Sequence, residues 1–219
     1  MSLILYGHHF SSYTQKVLVA LYENALPFDF RCVGPDQPEH TQQWRQHAPL
    51  RKFPVLVDGA RSVAETSIII EYLQLHHAGP QRLIPDDPRA ALDVRFMDRC
   101  FDLHVMDAAQ HAVDGALSGD DRKRAEGLAR SADKLERVYG WLEPQLAGHN
   151  WAVGNEFTLA DCAAAPSLFY ADWVHRIGDG YPTLRAYRAR LLARASFARA
   201  VDEARYFRPY FPLGAPDRD

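Results

Sequence analysis

Hydrophobic and polar positions change their period along the chain, and the change divides it in two. Up to about residue 78, short apolar runs alternate with helical patterns. Leu3-Ile4-Leu5-Tyr6 reads as a strand, positions 13–24 as an amphipathic helix, 28–33 as a second strand and 39–47 as a polar helix. Phe53-Pro54-Val55-Leu56 reads as a strand entered through a proline. Asp58-Gly59 is a tight hairpin turn, and 66–77, with Ile68-Ile69-Ile70, is a further helix. The order β-α-β followed by β-β-α predicts a parallel pair with a right-handed crossover plus an antiparallel hairpin, hence a small mixed sheet.

The pattern breaks at Gly79-Pro80 and Pro85-Asp86-Asp87-Pro88, where prolines and a glycine interrupt regular structure. A linker is expected over 79–87, between a first domain of 1–78 and a second of 88–219. Beyond it the pattern is helical: 89–117, 121–146, 159–173, 183–194 and 196–205, with 209–219 irregular. The predicted fold class is therefore α/β plus all-α.

Composition narrows the function classes. With 219 residues, 47% of them apolar, the chain has material for one large or two modest cores. A net charge of -3 argues against a nucleic-acid-binding face. The one tight basic cluster, Arg122-Lys123-Arg124, adjoins Asp120-Asp121 and reads as a solvated helix start. Residues 1–6 lack the charged region and long apolar core of a signal peptide, and no apolar run has membrane-spanning length, so a cytoplasmic protein without membrane association is expected. Cys32, Cys100 and Cys162 show neither metal-ligand nor C-x-x-C spacing; buried thiols are expected, with no disulfide framework and no metal site.

Two segments carry candidate chemistry, and a third reads as structural. The helix beginning at Glu65-Thr66 offers unpaired backbone N–H groups and the Thr66 hydroxyl to an anion, and Glu65 offers a carboxylate to an ammonium; together they suit an amino-acid head group. The same residues also read as an ordinary N-cap segment. At the first strand-to-helix turn, Gly7-His8-His9-Phe10-Ser11-Ser12-Tyr13-Thr14-Gln15, the spacing Ser12-x-x-Gln15 predicts a capping box, leaving Ser11 free to donate to a thiolate held at the helix start. Phe157-Thr158-Leu159-Ala160-Asp161 is a second capping box, with Phe157 placed to staple against Cys162. Tyr6 reads as a core aromatic or as an alternative thiol donor. His104, on the first long helix of the second domain, reads as a partly exposed histidine or as a pocket residue.

Taken together, these segments resemble the glutathione S-transferase superfamily, in particular its serine-type, theta-, zeta- and beta-like bacterial members. The resemblance runs nearly end to end. It implies a thioredoxin-like glutathione domain followed by a helical domain that forms the electrophile pocket, with the X-Pro bond at Phe53-Pro54 cis and Phe53 turning its backbone outward to pair with an extended peptide. Residue by residue, Ser11 is similar to the family's catalytic serine. Glu65-Thr66 is similar to its Glu-Ser motif for the γ-glutamyl group, with threonine in place of serine. Lys52 and Phe53 match glutathione-contacting positions, and His40 a residue reaching the glycine end. Phe10 and His104 fall where the electrophile binds. Tyr13 stands where zeta-like isomerases carry cysteine, which speaks against an isomerase. The implied activity is transfer of the glutathione thiolate to small hydrophobic electrophiles, a detoxifying reaction with glutathione as co-substrate and no metal, by a homodimer. The alternatives are a noncatalytic glutathione-binding or regulatory protein of the same fold, or a glutathione-dependent disulfide-exchange enzyme or isomerase.

Overall fold

The computed structural model describes residues 3–219. Its first half contains β1 (Leu3–Gly7), α1 (Ser12–Glu23), β2 (Phe28–Cys32), α2 (Pro38–His47), β3 (Val55–Asp58), β4 (Arg61–Val63) and α3 (Thr66–His76). The strands form one sheet in the order β2-β1-β3-β4. β1 runs parallel to β2, with Leu5 opposite Phe30, and antiparallel to β3, with Leu5 opposite Leu56. β3 pairs antiparallel with β4 across the Asp58-Gly59 turn. This is the mixed sheet the sequence predicts.

Strand alternation sorts the side chains between two layers. Leu3, Leu5, Leu56 and Val63 pack with Val17, Leu18 and Leu21 of α1 and Ile69 and Leu73 of α3. Tyr6, Val55 and Val57 point to the other face, where Trp44 and Ala48 of the α2 region cover them. Tyr6 is 2% exposed. Its hydroxyl lies 3.2 Å from Gln43 Oε1, to which it donates, and accepts from Arg31 Nη1 at 2.9 Å.

The second half holds α4 (Pro88–Cys100), α5 (Asp107–Leu117), α6 (Asp121–Gln145), α7 (Leu159–Val174), α8 (Pro182–Leu192) and α9 (Ala195–Ala204), ending in a 3₁₀ helix over Arg205–Tyr210. The single helix expected over 89–117 is interrupted by a π-helical turn at Phe101–Met106. Periodicity does not reveal such a turn, since one inserted residue leaves the flanking helices amphipathic. Asp120 caps α6 by accepting from the N–H groups of Arg122 and Lys123, in keeping with a solvated helix start.

Most of α7 is buried at the centre of the helical layer. Its N-terminal Asp161 accepts from Thr158 N at 2.9 Å, Ala152 N at 2.8 Å and Tyr187 Oη at 2.6 Å. Phe157 and Cys162 share one apolar cluster, as the staple requires. Cys100 and Cys162 are buried, whereas Cys32 is only half-buried, because β2 lies at the sheet edge.

Ionic contacts join the halves, among them Arg95 of α4 with Glu71 of α3 at 2.8 Å. Lys16 of α1, 1% exposed, places Nζ 2.6 Å from Asp98 Oδ1 and 2.8 Å from Asp102 Oδ2. Arg194 meets Glu23 in a two-pronged pair at 2.7 and 2.6 Å. No helix among the described residues is long and apolar enough to cross a membrane.

Candidate active site

The turn after β1 is shaped by close packing. A Cβ on Gly7 would stand 2.6 Å from Thr14 Cγ2, so only glycine fits there. Thr14 Oγ1 accepts from His8 N at 3.3 Å, and Gln15 Nε2 donates to His9 O at 2.9 Å. The helix cap differs from the one predicted. Ser11, not Ser12, is the N-cap residue of α1, and its Oγ accepts from Thr14 N at 3.3 Å. Gln15 does not close a capping box, because its amide is engaged by His9 O and the Tyr170 hydroxyl. Capping and thiolate donation are compatible at Ser11: the oxygen accepts from Thr14 while the hydroxyl proton points elsewhere. Ser12 occupies the first helical position and is buried.

The second wall comes from β3 and α3. The Phe53-Pro54 bond is cis. Lys52 is anchored through its carbonyl, which accepts from Trp44 Nε1 at 3.2 Å, and its ammonium forms no ion pair among the described residues. Phe53 N–H and C=O have no hydrogen-bond partner among the described residues. Glu65 takes φ 68°, a conformation that L side chains adopt only when their surroundings enforce it. Its side chain neither caps α3 nor enters an ion pair among the described residues. The first N–H groups of α3 are therefore open, beside the buried hydroxyl of Thr66.

These residues surround two adjoining hollows. One, of about 290 Å³, is lined by Lys52, Phe53, Glu65, Thr66, Arg99 and Asp102 among others. The second, of about 280 Å³, has Ser11 and Ser12 in its wall and is otherwise mostly apolar, with Phe10, Met106, Val113 and Phe211. Tyr13 and Phe53 line both. Phe10 packs edge-on against Tyr170, with ring centroids 5.4 Å apart. Burial pushes the Asp102 carboxyl upward, against the pull of Lys16. Burial, reinforced by Asp102 and Asp107, pushes the Tyr13 phenol up to about 12.

Two candidates stand elsewhere. His104 is exposed and lines a separate hollow of about 500 Å³ between α4, the π-helical turn and α6, together with Phe96, Lys134 and Trp141. The electrophile-pocket expectation for His104 is not met at either adjoining hollow: Asp102 and Met106, four residues apart on one helix face, line them, and His104 between those positions faces the separate hollow. His40, on α2, is half-buried and lines neither of the two adjoining hollows. Arg99, Asp102, Met106 and the 210–212 segment were not legible as site residues, because they reach the cleft through tertiary packing.

The halves of this cleft match known proteins. The model for the glutathione S-transferase N-terminal domain matches residues 5–81, and that for the C-terminal domain matches residues 105–195. The chain belongs to the glutathione S-transferase family. It is an enzyme of that family, with a thioredoxin-like first domain, a helical second domain and glutathione as its substrate or ligand. A glutathione S-transferase from Methylobacillus flagellatus KT, solved with glutathione bound, is 30% identical; the match covers 91% of this chain and 98% of that one, with a TM-score of 0.79. Another, from Methylobacterium radiotolerans JCM 2831 in complex with glutathione sulfonate, is 33% identical over 92% and 95% of the two chains, with a TM-score of 0.77. A probable maleylacetoacetate isomerase from Vibrio cholerae is 29% identical over 212 residues, 93% of this chain and 97% of that protein.

Proposed function

We propose that the protein transfers the glutathione thiolate to small apolar electrophiles through Ser11. The observation that carries this reading is the meeting of two chemically different hollows. One is lined by Lys52, Phe53, Glu65 and Thr66 and the other by Ser11 and apolar side chains, with Phe53 common to both. Glutathione lies extended along Phe53, whose free N–H and C=O pair with its backbone. Its γ-glutamyl carboxylate takes the open N–H groups and hydroxyl at Thr66, and its ammonium takes Glu65. Lys52 meets the glycine carboxylate. The sulfur then falls near the start of α1, where the Ser11 hydroxyl and the helix N-terminus favour the thiolate. Lowering a thiol pKa by about two units from about 8.5 requires on the order of 2.7 kcal/mol, within reach of a charged hydrogen bond plus the dipole.

The mostly apolar second hollow supports an uncharged electrophile. Exposed Leu50, Phe96, Leu103 and Trp141 lie around the first hollow and the separate 500 Å³ hollow, and an apolar face of this kind supports a homodimer covering them. Three unpaired cysteines suit a reducing, cytoplasmic setting and a detoxifying role there. Disulfide exchange is disfavoured by serines at both positions where a catalytic-turn thiol would stand. The test is retention on glutathione resin together with conjugation of a panel of aryl halides, benzyl halides, epoxides and enones. Retention without conjugation of any member would leave a noncatalytic binding protein. Failure of both would remove the proposal.

A further inference from the structure

We propose that Arg188 and Arg218 hold a small halide ion, chloride in ordinary solution, at the seam of α7, α8 and the segment that follows the 3₁₀ helix. The site lies outside the cleft and does not depend on the transfer reaction proposed above.

Asp172 of α7 is the carboxylate at this seam. Its Oδ1 accepts from Ile177 N at 2.9 Å. Its Oδ2 lies 3.1 Å from Arg218 Nη2, which also donates to Asp172 O at 2.9 Å. Arg188 of α8 therefore finds the acid already taken: its Nη2 stands 3.5 Å from the same Oδ2, without hydrogen-bond geometry. Its Nε reaches Leu168 O only at 3.4 Å. Arg188 Nη2 and Arg218 Nη1 are both buried and have no hydrogen-bond partner among the described residues. The nearby Asp219 gives no relief, since it accepts from Arg205 Nη2 at 2.7 Å and from Arg208, while Asp202 accepts from Arg205 at 2.7 Å. Arg188, Arg205, Arg208 and Arg218 thus share Asp172, Asp202 and Asp219. The surplus charge falls on Arg188, whose side chain is only 13% exposed. Burial lowers its pKa, against the pull of Asp172 and with the push of Arg218.

A buried cation is strongly destabilising unless a counter-charge meets it. Water would satisfy the two idle donors but leave the charge uncompensated, whereas a monoanion accepts from both guanidiniums and neutralises the surplus. Because the idle nitrogens are buried, a monatomic ion suits them better than a bulky anion such as gluconate. Arg218, whose side chain is 35% exposed, forms the rim through which the ion enters. The site also has a structural consequence. Asp172 stands between Tyr170 and Val174, which line the apolar hollow beside Ser11, and Phe211 and Pro212 line the same hollow. An ion bound here fastens residue 218 to α7 and so anchors the far end of the segment that supplies Phe211 and Pro212.

The experiment measures thermal unfolding of the full chain in sodium chloride and in sodium gluconate at matched ionic strength, for the wild type, Arg188→Gln and Arg218→Gln. With chloride at about ten times its Kd, the wild-type Tm should stand about 3–6 °C higher than in gluconate, and bromide should reproduce the gain. Each variant should lose the gain, whatever its Tm in gluconate, because the readout is the difference between the salts. Equal wild-type Tm values in the two salts would leave water at the site and overturn the inference. A gain that survives both substitutions would place the ion elsewhere and overturn it as well. A wild-type crystal soaked in bromide tests the site without any substitution. Anomalous density within about 3.5 Å of both guanidiniums is expected, and its absence there overturns the inference.

Discussion

Lys16 and Asp102 form a buried ion pair, Nζ to Oδ2 at 2.8 Å, that ties the first helix of the thioredoxin-like domain to the π-helical turn of the helical domain. The same ammonium reaches Asp98 and donates to the Ser67 hydroxyl oxygen, a third partner, at 3.0 Å. One side chain thus links the helix that carries Ser11, the helix start at Thr66 and the wall of the hollow lined by Lys52 and Glu65.

Replacing Lys16 by methionine strands two carboxylates in a buried site. The expected cost is about 3–5 kcal/mol of unfolding free energy, measured by urea denaturation. Lys16→Arg, which keeps the charge, should recover much of it. A methionine variant as stable as the wild type would show that the pair contributes nothing net.

The proposed glutathione site makes affinity depend on the start of α3. Glu65→Gln and Thr66→Val each remove one charge-assisted contact, worth about 1.5–3 kcal/mol, so KM for glutathione should rise by about 10- to 150-fold. The value of kcat at saturating glutathione should change much less. Initial-rate kinetics separate the two, and a loss confined to kcat would move these residues out of the binding role.

His104 and Phe10 were grouped together from sequence, and the structure separates them. Phe10→Ala opens the apolar hollow beside Ser11 and should lower kcat/KM for small aryl electrophiles by about tenfold, on the scale of a buried aromatic contact of about 1.5 kcal/mol. His104→Ala, in the separate hollow, should leave the kinetics unchanged.

Acid stability should report on Asp58. Its carboxylate lies 2.6 Å from His77 Nε2 and accepts from the Tyr72 hydroxyl at 3.0 Å, contacts that hold its pKa below the ordinary value. A depressed folded pKa means stability that is present above the unfolded value of about 3.9 and lost as pH falls through the lower folded value. Asp58→Asn should therefore lower Tm at neutral pH, and its deficit relative to the wild type should shrink in acid. A deficit independent of pH would assign the effect to shape instead of charge.

Much of the architecture was legible because local patterns and tertiary demands agree. Alternation in Leu3 to Tyr6 places Leu5 and Tyr6 on opposite faces of the sheet, and Asp58-Gly59 makes the hairpin it suggests. The errors came where two local solutions compete or where packing decides. Ser11 and Ser12 both suit an N-cap, and the engagement of Gln15 with His9 and Tyr170, a residue 155 positions away, settles the choice. Asp102 and Met106, four residues apart on one helix face, reach the cleft, while His104 between them faces the separate hollow. Residues 210–212 arrive at the hollow only because the chain end folds back, an arrangement without a local signature.

The central claim is that the Ser11 hydroxyl stabilises the glutathione thiolate. Ultraviolet titration of the thiolate in the binary complex tests it most directly, comparing the wild type with Ser11→Gly, since glycine preserves helix capping to within a few tenths of a kcal/mol. The account predicts a bound-thiol pKa about two units below the free value of about 8.5 in the wild type, and a return most of the way to it in the variant with the protein still folded. A wild-type value already at the free level, or a lowered value that survives the substitution, would contradict it.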